Sequence, residues 1–278
     1  MFSSRDRLSD ALFSKFSRLI FEKTGIYLKP EKRELLISRL GKRLRATKIS
    51  SCQEYYDYIV RNQQGLEFTD FIDCISTNFT SFFRENTHFD YMSSTVLPAL
   101  LTNGFGGSQE ILLWSAACSS GEEPYTLAMV MEEFRVHRPG LRYRIKATDI
   151  STRMLAQAKR GVYSSDRIHN VPEQTLRRFF QKGVGQSAGY VKVKKEIMSQ
   201  VEFMHFNLMH DFSTIGSPNI IFCRNVMIYF NKETQQELVD KFYNTLAPGG
   251  YLFIGHSESI SSLKHRFVQI EATTYRKE

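Results

Sequence analysis

The chain has 278 residues, of which 42% are hydrophobic and 24% are charged, a composition ordinary for a folded protein with a sizeable core. Residues 1–10 carry charges where a signal peptide needs an apolar stretch, and no apolar run reaches the length of about 18 residues that a membrane helix requires. The four cysteines lack CxxC spacing and the seven histidines form no HxxxH or HxH pair, so we expect neither a disulfide scaffold nor a metal site. These features predict a reduced, cytoplasmic protein.

The net charge of +8 is concentrated in one segment. Between Leu28 and Lys48 there are eight Lys and Arg residues and two Glu residues, which leaves +6 in 21 residues. Such a stripe indicates an acidic partner surface, although a charge run is more often a solvated helix face.

Residues 1–76 predict an all-helical N-terminal domain. Leu36, Leu40 and Leu44 recur every four residues in a helix predicted over 31–45, and apolar spacing predicts a second helix over 66–75. A further helix is predicted over 86–102 and ends in a glycine-rich stretch. Residues 77–107 are therefore expected to form a linker and a helix that lead into the next domain.

After residue 107 the pattern changes to short apolar runs that alternate with amphipathic segments. The runs predict strands over 111–114, 143–147, 201–206, 219–223, 251–254 and 267–275. Helices are predicted over 122–136 and after Asn231, which can cap a helix that Pro248-Gly249-Gly250 ends. The alternation predicts an α/β domain over 108–278 with a mainly parallel sheet covered on both sides. Residues 162–200 interrupt the rhythm and predict an insertion.

The loop after the first strand is rich in small residues and is followed by acidic ones. It reads SAACSSGEE over 115–123, without the lysine of a GxxxxGK[ST] loop or the GxGxxG of a dinucleotide site. Small residues let a ligand approach the backbone, and Gly121 can take conformations barred to other residues. The acids suit the amino group of S-adenosylmethionine, and Asp149, at the end of the next strand, is placed to accept hydrogen bonds from ribose hydroxyls. Together these features favour a nucleoside-containing ligand.

Six strings resemble the CheR family of chemotaxis receptor methyltransferases. They are TNFTSFFRE (77–85), WSAACSSGEEPYT (114–126), ATDIS (147–151), FNLM (206–209), IFCRNVMIYF (221–230) and GGYLFIGHSES (249–259). The resemblance implies a Rossmann-like class I S-adenosylmethionine methyltransferase domain with a small β-subdomain inserted over 162–200, joined to the helical N-terminal domain. It also implies methyl transfer from S-adenosylmethionine to glutamate carboxylates of membrane chemotaxis receptors, with S-adenosylhomocysteine as product. The chain departs from the family at Asn219, where Asp is usual, and at Cys118 and Ser120, where Ala or Ser with Thr are usual.

The resemblance further implies which residues bind the cofactor. The linker would supply Asn78, Thr80 and Arg84, and the sheet domain would supply Glu123 for the amino group, Asp149 for the ribose, Asn207 and Leu208 for the adenine, and Arg224 and Asn225 after the fourth strand. Arg84 would also orient the substrate carboxylate, and Tyr229 would shape the methyl-transfer cleft. The alternatives are a surface salt bridge of Arg84 with Glu85 or Asp90 and ordinary core packing of Tyr229. A free glutamate has a pKa of about 4.3 and is ionised at neutral pH, so no general base is required.

Two segments are predicted to bind the receptor. The basic helix would face the acidic methylation helices through Arg39, Lys42 and Arg43. The insertion carries the three-glycine pattern of CheR members that dock on a peptide at the receptor's C-terminal tail, at Gly183, Gly185 and Gly189. Docking there predicts strand addition to an exposed sheet edge, and a β-hairpin without a partner is the alternative.

Two other functions stay open from the sequence. A nucleic-acid methyltransferase would suit the basic chain, but the [DN]PPY motif and the Pro-Cys nucleophile of cytosine-C5 enzymes are absent, and aromatic residues are not interleaved with the basic stripe. We therefore expect no nucleic-acid partner. A non-catalytic adaptor that binds the cofactor as a sensor is the second alternative, although Arg84, Glu123 and Asp149 are all present. We expect a monomer that does not insert into a membrane.

Overall fold

The computed structural model describes residues 8–76 and 78–278. Residues 1–7 of the predicted N-terminal domain, and Thr77 at the start of the predicted linker, lie outside the described residues. None of the helices in the two described ranges is long and apolar enough to cross a membrane.

Within residues 8–76 the structure has four α-helices: α1 (Asp10–Thr24), α2 (Arg33–Thr47), α3 (Cys52–Arg61) and α4 (Leu66–Ile75). Ser9 and Ser51 cap α1 and α3, since their side-chain oxygens accept hydrogen bonds from backbone N–H groups in the first turn. Apolar side chains of all four helices pack into one core around Phe16 and Phe71, which are fully buried. The predicted helices over 31–45 and 66–75 are confirmed to within two or three residues at each end.

One helical segment leads from the linker to the sheet. It consists of α5 (Thr87–Tyr91), a π-helical stretch (Met92–Val96) and α6 (Leu97–Thr102). The helix predicted over 86–102 is confirmed, but the periodicity did not indicate the π-helical stretch. The stretch ends two residues before Pro98, which lacks an N–H and whose ring would clash with the carbonyl four residues earlier in a regular α-helix.

The elements of residues 111–276 are, in chain order, β1 (Ile111–Ala116), α7 (Glu122–Arg135), β2 (Tyr143–Asp149), α8 (Thr152–Arg160), β3 (Val162–Ser164), α9 (Glu173–Phe179), β4 (Phe180–Lys182), β5 (Tyr190–Val193), α10 (Lys195–Met198), β6 (Val201–His205), β7 (Ile220–Cys223), α11 (Lys232–Thr245), β8 (Tyr251–Ile254), β9 (Val268–Glu271) and β10 (Thr274–Arg276). Within this range, seven of the strands form one sheet with the order β6-β2-β1-β7-β8-β10-β9. The five strands from β6 to β8 are parallel, and β10 runs antiparallel to both of its neighbours. The predicted mainly parallel sheet is therefore confirmed.

The strand order places a switch point between β1 and β7. The chain moves outward from β1 to β2 and β6, and then returns to the other side of β1 to form β7 and β8. At such a point the loops after the two central strands turn in opposite directions and leave a crevice at the carboxyl ends of the strands. A ligand site is expected there.

One strand prediction is wrong. The sequence predicts a single strand over 267–275, but the structure has a hairpin of β9 and β10 that turns at Ala272 and Thr273. The turn contains neither glycine nor proline, the usual markers of a chain reversal. The sequence therefore contains no sign that the strand predicted over 267–275 is interrupted. All four residues of β9 are exposed, including the apolar Val268 and Ile270, so the apolar character of these two residues does not reflect burial.

Residues 162–200 form a separate small antiparallel sheet with the order β3-β5-β4. The strand predicted around Val191 is confirmed as β5, the central strand. A Cβ at Gly183 would lie 2.1 Å from the Ser187 carbonyl oxygen, and Gly185 and Gly189 have φ of 58° and 85°, so the connection between β4 and β5 itself requires glycine at these positions. Docking of a receptor tail on this sheet stays a prediction.

Candidate active site

A cleft of about 970 Å³, counting the space open to solvent, lies at the switch point. All nine residues predicted to bind the cofactor line it, and so does Tyr229; the nine are Asn78, Thr80, Arg84, Glu123, Asp149, Asn207, Leu208, Arg224 and Asn225. Thr24 and Ile26, at the end of α1, line it as well. The cleft therefore has walls from the sheet domain, the linker and the N-terminal helices.

The loop after β1 is held in an unusual backbone conformation. Within residues 117–121, Ala117, Ser119 and Gly121 have φ of 66°, 50° and 97°. Left-handed conformations are costly for residues other than glycine, and such strain is characteristic of ligand-binding loops. A Cβ at Gly121 would lie only 2.8 Å from the Cβ of Ala158, which explains the glycine at this position.

Asp149 joins this loop to the end of β2. Its Oδ2 accepts a hydrogen bond from the Ser119 N–H at 2.7 Å, and its Oδ1 accepts one from the Ser151 N–H at 2.8 Å. Burial raises the pKa of Asp149 to about 6, although the two N–H groups favour the ionised form. The carboxylate is thus fixed in orientation and lines the cleft, where its free lone pairs can accept hydrogen bonds from a ligand.

Arg224, directly after β7, is a buried cation between two carboxylates. Its Nη1 lies 3.2 Å from Glu123 Oε2, and its Nη2 lies 2.8 Å from Glu85 Oε2 and also donates to the Arg84 carbonyl. The Arg224 side chain is 2% exposed, and each carboxylate side chain is 14% exposed. One cation facing two carboxylates leaves a negative charge uncompensated, which suits a cationic ligand.

The pKa values of the two carboxylates differ because Arg224 contacts them differently. Burial raises the pKa of Glu123, and the charge of Arg224 and a hydrogen bond from Ser115 Oγ at 2.7 Å offset only part of the rise. Burial also acts on Glu85, but the hydrogen bonds and charge of Arg224, together with hydrogen bonds from the Asn225 side chain and the His256 backbone, outweigh it and hold the pKa of Glu85 below its ordinary value. The sequence did not indicate the pairing of Glu85 with Arg224, since 139 residues separate the two.

Another buried carboxylate, Glu258, shapes the turn after β7. Glu258 is 8% exposed and accepts hydrogen bonds from the N–H groups of Asn225, Ile228 and Gly255 at 2.9, 3.3 and 2.6 Å. These bonds hold Asn225 at φ 58°. A Cβ at Gly255 would lie 2.5 Å from Asn225 Nδ2, so glycine is required beside it. The role of Glu258 was not predicted from the sequence, because a single acid in a loop carries no local signal.

The linker crosses the open side of the cleft. The Asn78 carbonyl accepts a hydrogen bond from Ser119 Oγ at 3.1 Å, which attaches the linker to the loop after β1. Arg84 Nη1 donates to the Phe79 carbonyl at 3.0 Å, and its guanidinium lies 5.9 Å from the centroid of the Phe79 ring. The alternative partner Glu85 pairs with Arg224 instead. Phe79 is 79% exposed at this edge, an unusual position for a large apolar side chain.

The far end of the cleft joins the sheet domain to α1. Asn207 Nδ2 donates to the Lys23 carbonyl at 2.7 Å, and Asn207 Oδ1 accepts a hydrogen bond from the Met209 N–H at 3.0 Å. The Asn207 amide is therefore already engaged within the protein. Leu208 is 7% exposed and gives this end of the cleft an apolar wall.

Tyr229 is positioned by the N-terminal helical region. Its carbonyl accepts a hydrogen bond from the Tyr27 N–H at 2.8 Å, and Ile26 forms an antiparallel bridge with Phe230. The side chain is half-buried and lines the cleft, which differs from the fully buried position that core packing would give.

The three residues of α2 that are predicted to bind the receptor lie in different settings. Arg39 Nη1 donates to three consecutive backbone carbonyls at the end of α4, residues 74–76, where the helix dipole favours a cation. Arg43 pairs with Glu67 at 2.5 Å. Both arginines are half-buried with partners in their own domain, whereas Lys42 is exposed. The exposed cations of this segment are Lys29, Lys32, Lys42, Arg45 and Lys48.

The departures from the family pattern have simple structural settings. Asn219 Oδ1 accepts a hydrogen bond from the Leu112 N–H at 2.9 Å just before β7, at the opposite end of that strand from the cleft. An amide oxygen serves there as a carboxylate would. Cys118 is 1% exposed and lines the cleft, and Ser120 Oγ donates to Glu122 Oε2 at 2.7 Å.

The fold also brings together a cluster that histidine spacing did not predict. Potential ligand atoms of Glu85, His88 and His256 all lie within 4.8 Å of one another. His88 Nε2 lies 2.7 Å from Thr273 Oγ1, and burial lowers the pKa of His88 to about 3, which keeps the ring neutral. Glu85 is already paired with Arg224, so the protein's own cation balances the carboxylate of this cluster.

Comparison with known proteins assigns the family. The CheR methyltransferase SAM-binding domain matches residues 78–276, and the CheR methyltransferase all-alpha domain matches residues 11–76. The chain belongs to the CheR methyltransferase family. Two chemotaxis protein methyltransferases are similar over nearly the whole chain. That of Escherichia coli K12 is 39% identical over 98% of this chain and 93% of its own length. That of Borreliella burgdorferi is 37% identical over 95% of this chain and 93% of its own length.

Among solved structures, a putative rRNA methylase from Clostridium thermocellum is 12% identical, with a TM-score of 0.35 over 64% of this chain and 73% of that chain. The PKMT2 structure from Rickettsia typhi in complex with AdoHcy is 14% identical, with a TM-score of 0.33 over 52% of this chain and 20% of that chain. The strand order and the family match, rather than these weak likenesses, establish the class I methyltransferase fold.

The CheR site residues fit S-adenosylmethionine, the cofactor of this domain. The cleft is lined by the Glu123 carboxylate, whose partner Arg224 also pairs with Glu85 beside the cleft, and by the fixed carboxylate of Asp149. Its other end is apolar at Leu208. An amino acid joined to a nucleoside needs this combination of charges and surfaces. The chain is thus a chemotaxis methyltransferase that uses S-adenosylmethionine.

Proposed function

We propose that the chain transfers a methyl group from S-adenosylmethionine to glutamate side-chain carboxylates of chemotaxis receptors, forming glutamate methyl esters and S-adenosylhomocysteine. The observation that supports this most directly is the charge arrangement of the cleft, where one buried arginine is shared by two carboxylates beside a fixed aspartate. The exposed edge of the same cleft carries Arg84, a cation that suits an incoming carboxylate.

In this proposal each lining residue has a separate binding role. Glu123 accepts hydrogen bonds from the cofactor's amino group, and Asp149 accepts them from the ribose hydroxyls. Leu208 packs against the adenine, while Asn207 positions the backbone of that loop through its bond to the Lys23 carbonyl. Asn78, Thr80, Arg224 and Asn225 hold the linker and the turn after β7 around the cofactor.

The substrate carboxylate needs orientation rather than activation. A glutamate with a pKa of about 4.3 is ionised at neutral pH, so the nucleophile is present without a general base. S-adenosylmethionine supplies the methyl group on a sulfonium. Arg84 orients the carboxylate and Tyr229 helps to shape the methyl-transfer cleft. Orientation of this kind contributes roughly 7–11 kcal/mol to intramolecular reactions.

Receptor binding is assigned to two surfaces. The exposed cations around Lys42 on α2 face acidic methylation helices, and Arg39 and Arg43 support that surface from within the domain. The small sheet of residues 162–200 has β3 and β4 at its edges, and one of them accepts a receptor tail peptide as an added strand. The protein acts as a monomer in the cytoplasm, on receptors embedded in the membrane.

The test is transfer of radiolabelled methyl from S-adenosylmethionine to receptor-containing membranes, followed by mild base. We expect label that is released as methanol, the signature of a carboxyl methyl ester. Label that resists base, or that appears on RNA or DNA, would contradict the substrate assignment while the cofactor assignment stands. An Arg84→Ala variant should lose most of the transfer, and Arg144→Ala, at an exposed ion pair on the sheet, serves as its control.

A further inference from the structure

We propose that the inserted β-subdomain is part of the cofactor site, and that Arg167 and Tyr163 in it are positioning residues for the loop that binds S-adenosylmethionine. This role affects the affinity for the cofactor and does not depend on which carboxylate accepts the methyl group. It assigns the insertion a second role, separate from docking a receptor tail.

Two side chains of the insertion reach the loop after β1 directly. The Tyr163 hydroxyl, from β3, donates to the Ser120 carbonyl at 2.7 Å. Arg167 Nη2, three residues after β3, lies 2.7 Å from Glu122 Oε1 and 3.3 Å from Ser120 Oγ. Ser120 Oγ in turn donates to Glu122 Oε2, which closes the group. The insertion thus contacts both the backbone and the side chains of residues 120–122.

Burial makes these contacts necessary for the loop. The Glu122 side chain is fully buried, and a buried carboxylate is costly unless a cation or several donors face it. Arg167 supplies that cation, and its own side chain is 30% exposed, so it remains partly hydrated. Tyr163 is 1% exposed, and its hydroxyl satisfies a loop carbonyl that water cannot reach.

The residues that the insertion contacts are neighbours in the chain of residues that line the cleft. Glu122 and Glu123 are consecutive in the first turn of α7, and successive helical residues point about 100° apart. Glu122 faces the insertion while Glu123 faces Arg224. A rotation of this turn that released Glu122 from Arg167 would therefore move the Glu123 carboxylate. On the other side of residue 120, the Ser119 N–H is the group that orients Asp149.

The linker rests on the same insertion. Phe82 is fully buried, with its ring centroid 4.9 Å from that of Tyr163 and 5.3 Å from that of Phe180. Phe82 lies between Thr80 and Arg84, which both line the cleft. Two walls of the cleft are thus anchored on the insertion through Tyr163.

The test compares Arg167→Met and Tyr163→Phe with Arg177→Met. Arg177 also lies in the insertion, but it pairs with Glu173 where both side chains are more than three-quarters exposed, so it is a matched control. Binding of S-adenosylhomocysteine is measured by calorimetry, and hydrogen exchange of the Ser119 amide is measured in the ligand-free protein. We expect Arg167→Met to raise Kd about tenfold, which corresponds to about 1.4 kcal/mol, and to speed exchange, with Arg177→Met unchanged.

Two further variants separate positioning from general stability. Tyr163→Phe removes one hydroxyl and should raise Kd by a few-fold even if Arg167→Met fails to fold. The double variant Glu122→Gln/Arg167→Met leaves no buried unpaired charge, so its Kd should return toward that of the starting protein. The proposal is overturned if Tyr163→Phe and every folded Arg167 variant keep the Kd of Arg177→Met within twofold, or if exchange of the Ser119 amide does not change.

Discussion

Replacing Arg224 by Met tests whether this arginine neutralises the two carboxylates that it contacts, Glu85 and Glu123. The substitution preserves an unbranched side chain but leaves Glu85 and Glu123, each 14% exposed, without the cation that now contacts both. Loss of one partner from a buried ion pair costs about 3–5 kcal/mol. In a domain of this size each kcal/mol lowers Tm by about 2–4 °C, so we expect Tm to fall by roughly 6–20 °C.

The loss should depend on pH. Arg224 now holds the pKa of Glu85 below its ordinary value, so the pair stabilises the fold at neutral pH and this contribution disappears as the pH falls through the folded-state pKa. Without Arg224, the hydrogen bonds from Asn225 to Glu85 and from Ser115 to Glu123 oppose burial only in part, so we expect the pKa of both carboxylates to rise above the unfolded value of about 4.3. The variant therefore carries a penalty at neutral pH that protonation relieves, and the stability difference between the two proteins should narrow at acidic pH.

The assay is urea unfolding of both proteins at pH 7.5 and pH 5. Arg144→Met is the control, since its pair with Glu110 is more exposed and such pairs contribute only about 0–1 kcal/mol. A loss below about 1 kcal/mol for Arg224→Met, or a difference of the same size at both pH values, would refute the assigned role of Arg224.

Three other predictions test the loop and the linker. Because burial raises the pKa of Asp149 to about 6, the affinity for S-adenosylhomocysteine should fall as the pH drops through 6. Calorimetry of Asp149→Asn should show weak binding without this pH dependence. The same pH dependence in the variant would contradict the role of Asp149 in binding the ligand. Gly121→Ala places a Cβ 2.8 Å from Ala158 at φ 97° and should cost about 1–3 kcal/mol in thermal unfolding; an unchanged Tm would show that the loop adapts. Phe82→Ala should cost about 3–5 kcal/mol in urea, whereas Phe79→Ala, at a 79% exposed side chain, should stay within about 0.5 kcal/mol; similar losses would contradict the assigned burial.

The sequence by itself determined the elements and the chemistry that depend on neighbouring residues. Apolar spacing of four residues located α2, and short apolar runs located β1, β2 and β7, since side-chain direction in a helix or strand follows from local periodicity. The small residues before Gly121 and the acid at position 149 indicated a nucleoside site for the same reason, because each follows its own strand directly. The hairpin of β9 and β10 was missed because its turn lacks the residues that mark a reversal.

Only the tertiary structure decided which distant groups meet. The strand order brings the residue after β7 beside the first turn of α7, and this places Arg224 against Glu123 and, from the linker, Glu85. The fold also places Arg39 against the carbonyl groups at the end of α4 and joins Arg167 to Glu122. Charge pairing acts through space over a few ångströms, whereas sequence patterns report only on neighbours along the chain. The electrostatics of the cleft therefore followed from the fold.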